Sequence, residues 1–410
     1  MPIIFQICVE PNKGSVGRIA EQIGLKMKYN GWSSYIAYGR PGLISDSILI
    51  KIGNFIDIVY HLIITRLFDR HCFGSRIATK KLVKKIETLN PDVILLHHIH
   101  GYFVNIDVLF SYFLKKRKKV YWIFHDCWAF TGHCAYFDYV KCDKWKTECN
   151  NCVQKREYPK SIFLDRSKQN FIFKKSILES YPNLNIISVS NWMTDLVKVS
   201  FLRNHNLFTI HNGIDLDKFH RIPDVTETIV KYNIQSKYII LGVASLWEKR
   251  KGLDEFIKLR SQLDDNILII LIGLTEKQIK TLPNGIFGIK RTESIKELAT
   301  FYSLANVYVN LTLEDTYPTT NLESIACGTP VITYDTGGSK ESIIENSGIV
   351  VEKGNINEVS RAINTILSYG SNYFTNDCRS VAEKYFDSEL CFEKYLRLFN
   401  DELKNNNLSQ

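Results

Sequence analysis

Two carboxylates, Asp315 and Glu323, lie in one stretch of the chain, Asp315–Pro330, which is flanked by short apolar runs. The runs Val307–Leu311 and Val331–Tyr334 predict buried strands, and the stretch between them predicts a loop followed by a brief helix. A helix N-terminus directs unpaired N–H groups and partial positive charge outwards, which suits a phosphate. A carboxylate beside a phosphate is better suited to accept hydrogen bonds from sugar hydroxyls. These residue types therefore predict a pocket for a phosphate that is bonded to a sugar on either side.

Small polar residues within the stretch predict where the helix begins and ends. Thr319 and Thr320 carry hydroxyls of the kind that cap a helix, and Asn321 follows them. Gly328 suits the left-handed position that commonly ends a helix. We therefore expect the amides of Thr319, Thr320 and Asn321 to face the bound phosphate.

Two adjacent cations and one histidine follow other predicted strands. Arg250 and Lys251 lie in the loop after Ile239–Ala244, where paired positive charges suit a diphosphate. His125 comes directly after the strand Val120–Phe124. Because open parallel sheets place ligands at the carboxyl ends of their strands, all three side chains are candidate ligand contacts.

The Asp315–Pro330 block and the Arg250–Gly252 loop resemble the signature of the retaining glycosyltransferases of family four, which have the GT-B fold. The resemblance implies that Glu323 holds the nucleotide ribose and that Asp315 holds the donor sugar. The family usually has Glu at the first of these positions. The shorter Asp leaves neighbouring Glu314 as a second candidate for the sugar contact.

The resemblance also implies roles for the histidine and the cations. His125 is expected beside the donor sugar, and Arg250 and Lys251 are expected to stabilise the leaving diphosphate, so that no catalytic metal is required. The family often has an arginine five residues before this lysine. Leu246 stands there in this sequence, so Arg250 is the candidate replacement.

Four more residues are candidate contacts with the nucleotide-sugar. By resemblance, Arg291 and Thr292 border the nucleobase, although an ordinary helix entry explains this turn nearly as well. Gly14 and Gly17 lie in a strand–turn–helix segment whose loop faces the cleft in the family. Tight packing of a helix on a strand requires glycine too, so both interpretations of these glycines stay open.

Strands and helices alternate through both halves of the chain, which predicts an α/β protein with doubly wound parallel sheets. With the resemblance, this becomes a GT-B fold of two Rossmann-like domains facing across a cleft. We expect an acceptor-binding domain at 1–210, a connector at 211–220 and a nucleotide-sugar domain at 221–385. The segment 386–410 is expected to hold a helix that packs back on the first domain, followed by a frayed tail.

A cysteine-rich insertion at about 127–152 has a spacing that suits zinc. Its cysteine pair with two intervening residues is a common zinc knuckle, and four thiolates would complete a tetrahedral site. The four candidate ligands are Cys134, Cys142, Cys149 and Cys152. Structural zinc and free thiols are both open.

Three histidines follow the third strand: His97, His98 and His100. They lack a fixed ligand spacing, so contact with the acceptor or plain loop structure is favoured over metal binding there.

Charge is distributed unevenly along the chain. Residues 1–210 carry 30 Lys and Arg against 16 Asp and Glu, whereas residues 211–410 carry 22 against 27. The basic half predicts an anionic partner. The run Lys115–Lys119 follows aromatic residues and suggests contact with the inner leaflet of a membrane. No apolar run reaches the roughly 20 residues that span a bilayer, and no leader is evident, so we expect a cytoplasmic protein with peripheral membrane association.

These observations predict a glycosyltransferase that moves a sugar from a UDP- or GDP-sugar, with retention of anomeric configuration. The expected acceptor is a saccharide or a polyprenyl-diphosphate-linked saccharide, in the biosynthesis of exopolysaccharide, O-antigen or capsule. Two other functions compete: a nucleic-acid-binding zinc ribbon and a nucleotide-sugar epimerase on the same fold. The zinc ribbon would explain the basic half but not the block from Asp315 to Glu323, so no nucleic-acid partner is expected.

Overall fold

Two parallel sheets form the framework of the chain, each in its own compact unit. The structure is a computed structural model, and it describes residues 1–370 and 373–408. Unit 1 comprises Met1–His211 together with Phe392–Gln410, and unit 2 comprises Asn212–Cys391. The division lies at the start of the predicted connector, 211–220, whose role in joining the units stays a prediction.

The sheet of unit 1 has seven parallel strands in the order β3-β2-β1-β4-β5-β6-β7. Branched and aromatic residues dominate its central strands, which are buried on both faces, as expected for a parallel sheet covered by helices. The strands are β1 (Ile3–Cys8), β2 (Ser33–Tyr38), β3 (Ile48–Lys51), β4 (Val93–Leu96), β5 (Val120–Phe124), β6 (Leu184–Ser188) and β7 (Asn206–Thr209).

Helices connect these strands, and a long irregular insertion interrupts the alternation after β5. The helices are α1 (Gly14–Tyr29), α2 (Phe55–Phe68), α3 (Arg76–Leu89), α4 (Ile106–Lys115), α5 (Ser167–Leu178) and α6 (Asn191–Lys198). Between β5 and α5 the regular structure consists of short 3₁₀ turns at Trp128–Phe130, Asp138–Val140 and Lys144–Lys146.

Unit 2 has six parallel strands in the order β10-β9-β8-β11-β12-β13. The strands are β8 (Tyr238–Val243), β9 (Ile267–Ile272), β10 (Ile286–Ile289), β11 (Val307–Asn310), β12 (Val331–Tyr334) and β13 (Gly348–Val351). The helices are α7 (Thr226–Lys231), α8 (Leu253–Arg260), α9 (Glu276–Ile279), α10 (Ile295–Leu304), α11 (Thr319–Ala326), α12 (Ile356–Tyr369) and α13 (Thr375–Val381). The predicted doubly wound α/β class is therefore confirmed in both units.

The last helix, α14 (Ser388–Leu408), belongs to unit 1 from Phe392 onward. The Tyr121 hydroxyl donates to Glu402 at 3.1 Å, and Phe399 packs its ring against Trp32 and Tyr121. The backbone of α14 is helical as far as Leu408, and the fraying expected from Lys404 stays a prediction. The final two residues of that predicted tail lie outside the described residues.

Two predictions about local structure need correction. The residues Thr336–Ser339 predict the start of a helix with exposed amides, but the structure has a 3₁₀ turn at Ser339–Ser342 instead. The aromatic residues before the basic run also differ from expectation, because Phe110 and Phe113 are buried in the core of unit 1 rather than facing a membrane. Of the described helices, none combines the length and the apolar character needed to cross a bilayer.

Candidate active site

Two loops at the carboxyl edge of the unit 2 sheet are joined by backbone hydrogen bonds. The loop after β8 meets the loop after β11 because these strands are neighbours in the sheet. The Leu313 amide donates to the Arg250 carbonyl at 2.7 Å, and the Thr312 hydroxyl donates to the same oxygen at 3.2 Å. Gly252 has a φ of +77°, and a Cβ there would lie 2.1 Å from the Leu311 carbonyl oxygen. This glycine is therefore required for the close approach of the two loops.

The predicted cations meet the first carboxylate of the block at this junction. Lys251 Nζ forms an ion pair with Asp315 Oδ2, and Arg250 Nη1 lies 3.8 Å from the same oxygen. Arg250 also donates to the Glu314 carbonyl at 3.0 Å. The structure thus brings together three of the four predicted catalytic side chains, Arg250, Lys251 and Asp315.

Burial and charge oppose each other within this ion pair. Burial lowers the pKa of Lys251, and the charge of Asp315 only partly restores it. Burial also acts to raise the pKa of Asp315, but the charges of Lys251 and Arg250 outweigh it and lower that pKa. The lowered pKa of Asp315 favours its ionised form, and the ion pair with Asp315 favours the charged form of Lys251. In this desolvated site an electrostatic interaction with a ligand is stronger than in water.

The loop after β12 supports Asp315 from a third side. The Gly338 amide donates to the Asp315 carbonyl at 3.0 Å, and the Thr336 hydroxyl donates to the Leu313 carbonyl at 2.8 Å. A Cβ on Gly337 would lie 2.0 Å from the Asp315 carbonyl oxygen. The Thr336–Gly338 segment, which was expected to begin a helix, instead fixes the backbone of Asp315.

The capping prediction for α11 is wrong. Pro318 is the N-cap residue, no side chain caps the helix, and Thr319 and Thr320 are its first helical residues. A proline has no side-chain oxygen that could cap a helix. The threonine hydroxyls do not take the capping role either, because both threonines lie inside the helix. Gly328 follows the helix with a φ of +78°, as predicted. The side chain of Asn321 accepts from Asn310 at 2.7 Å and donates to Ser342 at 2.8 Å, which fixes α11 between β11 and the 3₁₀ turn.

Glu323 lies on α11, buried, with a tyrosine as its partner. Its Oε2 accepts from the Tyr302 hydroxyl at 2.9 Å. Burial and the charge of Glu323 raise the pKa of Tyr302, which therefore stays a hydrogen-bond donor to this carboxylate. Tyr302 was not predicted as a site residue, since a tyrosine in the apolar pattern of α10 gives no signal of this contact.

The remaining predicted nucleotide contacts stay predictions. Arg291 and Thr292 follow β10, which is the edge strand of the sheet and two strands removed from β8. Gly14 begins α1 with a φ of +66°, and a Cβ on Gly17 would lie 2.2 Å from the Glu10 carbonyl oxygen. Tight packing alone therefore accounts for Gly17.

In unit 1, His125 belongs to a hydrogen-bonded chain that begins inside the sheet. Gln6 Nε2 donates to the Ala20 carbonyl at 2.9 Å, so Gln6 Oε1 accepts from His97 Nε2, also at 2.9 Å. His97 Nδ1 then accepts from His125 Nε2 at 3.2 Å. Burial, together with the charges of His98 and His97, holds the pKa of His125 well below its usual value. His125 is therefore neutral, with its proton on Nε2 and a lone pair on Nδ1.

A second polar cluster adjoins His125. Asp126 Oδ2 lies 3.2 Å from His98 Nε2 and 3.0 Å from His100 Nε2, and Asp126 Oδ1 accepts from the Trp128 amide at 2.9 Å. Burial acts to raise the pKa of Asp126, but the charges of His100 and His98 outweigh it and lower that pKa. Among the described residues, this trio is the only set of His, Cys, Asp or Glu whose ligand atoms all lie within 4.8 Å of one another. Asp126 accepts a hydrogen bond from His100, whereas the buried His98 Nε2 is near the same oxygen but has no hydrogen-bond partner among the described atoms.

The four predicted zinc ligands share one part of the insertion. Cys134 and Cys149 lie in the core of unit 1, with Cys142 and Cys152 packed against it. Cys134 and Cys152 share a hydrogen bond, and Cys149 Sγ accepts from the Gly132 amide at 3.2 Å. Within the described chain, no three of these sulfurs approach one another within 4.8 Å. Structural zinc therefore stays a prediction.

Comparison with known proteins identifies the family of the chain. The profile of a family described as Glycosyltransferase Family 4 matches residues 34–218, and that of Glycosyl transferases group 1 matches residues 224–384. The chain belongs to the glycosyltransferases of family four and has their GT-B fold, which confirms the resemblance. It is an enzyme of the hexosyltransferase type.

Three particular proteins illustrate the similarity. The colanic acid biosynthesis glycosyl transferase WcaC of Escherichia coli K12 is 25% identical over 370 residues, or 85% of this chain and 87% of WcaC. The N,N'-diacetylbacillosaminyl-diphospho-undecaprenol alpha-1,3-N-acetylgalactosaminyltransferase of Campylobacter jejuni is 24% identical over 206 residues, or 47% of this chain and 54% of that protein. The crystal structure of Anabaena HepE in complex with UDP-glucose has a TM-score of 0.66 at 13% identity, covering 98% of this chain and all of that one.

Proposed function

We propose that the enzyme transfers a hexose from a UDP- or GDP-sugar to a saccharide or lipid-linked saccharide, with retention of anomeric configuration. The observation that carries the proposal is the buried junction of Lys251, Arg250 and Asp315 at the carboxyl edge of the unit 2 sheet. A diphosphate needs cations that are already in place, and an adjacent sugar needs an acceptor of hydrogen bonds. This junction offers both.

Each predicted side chain has a role in the proposed reaction. The bond between the anomeric carbon and the diphosphate oxygen breaks, and the electron pair leaves with the diphosphate. Lys251 and Arg250 stabilise the charge that grows there, and Glu323 holds the ribose hydroxyls. The acceptor hydroxyl attacks from the face of the leaving group and gives its proton to the departing phosphate, which retains the configuration.

His125 supplies a contact of a different kind. Because its pKa is lowered by burial, it stays neutral, and the chain from Gln6 through His97 leaves the lone pair on Nδ1. A neutral imidazole with this tautomer accepts a hydrogen bond from a sugar hydroxyl rather than donating one. Gln6 and His97 are therefore positioning residues, since they act on the sugar only through His125.

The acceptor is proposed to be a saccharide on a polyprenyl diphosphate, in the assembly of a surface polysaccharide. Two observations support it. The relative in Campylobacter jejuni is named for a diphospho-undecaprenol acceptor, and the relative in Escherichia coli for colanic acid biosynthesis. The basic composition of residues 1–210 also suits an acceptor that carries phosphate.

The test is a screen followed by analysis of the product. Thermal-shift measurements with UDP-, GDP- and ADP-sugars should show stabilisation by one class of donor, which is then incubated with polyprenyl-diphosphate saccharides. Proton NMR of the product should show the donor's own anomeric configuration. An inverted product would contradict retention, and a changed donor sugar without an acceptor would favour the epimerase.

A further inference from the structure

Helix α2 presents its apolar side chains to solvent and its polar ones to the protein. Ile56, Tyr60 and Ile63 are exposed by 75%, 58% and 47%, whereas His61 and Thr65 are fully buried. A helix on the surface of a globular protein normally has the opposite arrangement. The side chains that face outward on α2 are therefore not explained by the folding of unit 1.

The buried polar side chains of α2 are satisfied, so the helix is held in this orientation. His61 Nδ1 lies 3.0 Å from the Ser75 hydroxyl, and its Nε2 accepts from the Cys72 amide at 2.9 Å. The Thr65 hydroxyl donates to the His61 carbonyl at 2.8 Å. Rotating α2 to bury its apolar face would break these bonds inside the protein, at a cost of roughly 1–3 kcal/mol for each buried group left unpaired.

A second apolar segment extends the exposed face. The Ile162 amide donates to the Arg66 carbonyl at 2.7 Å, which places residues 162–164 against the C-terminal part of α2. Ile162, Phe163 and Leu164 are all exposed, Phe163 by 67%. We call these three residues, with Ile56, Tyr60 and Ile63, the apolar surface. Its two parts adjoin at the C-terminal end of α2, through the hydrogen bond at Arg66.

The charges next to the two apolar segments along the chain are mostly positive, although Asp69, Glu157 and Asp165 also lie there. The only carboxylate on α2 is Asp57, which is engaged in the capping box with Asn54. Exposed cations flank the two apolar segments along the chain: Lys51 before α2, Arg70 after it, and Lys160 before Ile162. An apolar face bordered by cations is the arrangement that binds an anionic bilayer surface.

We propose that the apolar surface docks unit 1 onto an anionic lipid bilayer, with its side chains among the acyl chains and the flanking cations at the headgroups. The proposal deepens the proposed function, because a polyprenyl-linked acceptor is held in such a bilayer. It also moves the membrane contact from the predicted run Lys115–Lys119. In that run Lys116 is paired with Glu87 at 2.7 Å and Lys119 with Glu402, so part of its charge is already balanced within unit 1.

A bilayer fits this surface better than a second copy of the chain. A symmetric dimer through the apolar surface would bring the same flanking cations of two copies together, and like charges oppose such an association. Anionic headgroups complement them instead. The docked state needs no spanning helix, since an interfacial helix lies in the plane of the membrane.

The experiment compares vesicle binding by the full chain and two triple variants. Ile56→Ser/Tyr60→Ser/Ile63→Ser removes the face of α2, and Ile77→Ser/Ile172→Ser/Val199→Ser removes three exposed apolar side chains elsewhere in unit 1. Co-sedimentation uses vesicles of phosphatidylglycerol with phosphatidylethanolamine, and of phosphatidylcholine alone. Circular dichroism and donor-induced thermal shift verify that each variant is folded.

We expect the wild type and the control variant to bind anionic vesicles, and the α2 variant to bind at least about tenfold more weakly. Equal binding by both variants, or equal binding of the wild type to both kinds of vesicle, would overturn the proposal. So would a wild-type dimer that becomes a monomer in the α2 variant. Transferase activity is measured separately, as release of the nucleotide in the presence of a soluble acceptor and without vesicles. A lack of activity in that assay would contradict the proposed function and leave the vesicle result intact.

Discussion

The two units prepare their candidate site residues by opposite electrostatic means. Unit 2 uses permanent charges, with Lys251 and Arg250 held against the carboxylate of Asp315. Unit 1 uses neutral groups, since burial and neighbouring charges keep His97 and His125 uncharged in a hydrogen-bonded chain. Fixed charges suit a leaving diphosphate, whereas a neutral chain suits the orientation of a hydroxyl. The difference predicts that the two sites respond differently to mutation and to pH.

The largest effect is expected from removing a fixed charge. Lys251→Ala should reduce transfer by about a hundredfold, because it removes charge stabilisation that is needed only as the diphosphate leaves. Glu323→Ala should reduce transfer by at least about tenfold, mainly through weaker binding of the nucleotide. Initial rates with a saturating acceptor measure both, and KM for the donor separates them.

The control for Lys251 is Lys258→Ala. It removes an exposed lysine that is paired with Glu255 on α8, the helix that follows the loop of Lys251. We expect this variant to keep wild-type turnover. Near-normal rates for Lys251→Ala would show that unit 2 does not use this cation for the reaction, and the contrast between the units would fail.

Acid should affect unit 1 before unit 2. Burial lowers the pKa of His61 and of His97 to about 3, and that of His98 to about 4. A histidine whose pKa is lowered by folding binds fewer protons in the folded state than in the unfolded state. The free energy of unfolding therefore falls as pH drops below about 6.5, by about 1.4 kcal/mol per pH unit for each histidine. His133 acts in the opposite direction, because Asp69 overcomes the effect of burial and raises its pKa.

Tryptophan fluorescence measures this transition, since Trp247 is the one tryptophan of the sequence between Asn212 and Cys391. The full chain with Trp247→Phe should lose its folded signal between about pH 6.5 and 4. His71→Phe should move the midpoint to lower pH, because His71 is buried with no hydrogen-bond partner for either ring nitrogen among the described atoms. His220→Gln in unit 2 is the control, and an equal shift from it would contradict the assignment.

A smaller effect is expected from the residues that position His125. Gln6→Leu should reduce kcat by about tenfold or less and leave KM for the donor nearly unchanged, because the tautomer of His125 is no longer fixed. Gln6→Glu, which keeps an acceptor for His97 Nε2, should retain more activity than Gln6→Leu. If the two variants behave alike, the chain from Gln6 does not act through its hydrogen bond.

The smallest effect on catalysis is expected from the cysteines in the insertion of unit 1. Structural zinc and free thiols are both open here. If the insertion holds one zinc per chain, Cys149→Ser with Cys152→Ser should abolish it and lower the melting temperature by a few degrees, about 1–2 kcal/mol. Metal analysis of the purified protein measures this. Cys72→Ser and His98→Ala should keep the metal. A zinc-free wild type, or zinc that leaves with His98→Ala, would contradict zinc binding by these cysteines.

The sequence predicts much of the strand–helix alternation, because the central strands are short apolar runs followed by polar loops. It also predicts Lys251, Asp315 and Glu323 individually. The ion pair between Lys251 and Asp315 is not predictable from local patterns, since it depends on β8 and β11 being neighbours although two strands separate them in the chain. The same holds for Tyr302 and Gln6, which become site residues only through partners distant in sequence.

The exposed face of α2 shows a second limit of sequence patterns. Its residues are apolar on most sides, so periodicity does not reveal which face is buried. The edge strand β3 was missed for a related reason, because three of its four residues are exposed and give no strong alternation. In both places the orientation is decided by tertiary contacts such as those of His61.

The ion pair of Lys251 with Asp315 has a consequence for the choice of ligand. Any anion that reaches the lysine has to displace a carboxylate that is already there. Sulfate or inorganic phosphate can replace that carboxylate at Lys251 but offers nothing to Asp315, which is left with the more distant Arg250 at 3.8 Å. A molecule that carries both phosphate and hydroxyl groups gives Lys251 and Asp315 a new partner each. The ion pair therefore favours such a molecule over the abundant simple anions.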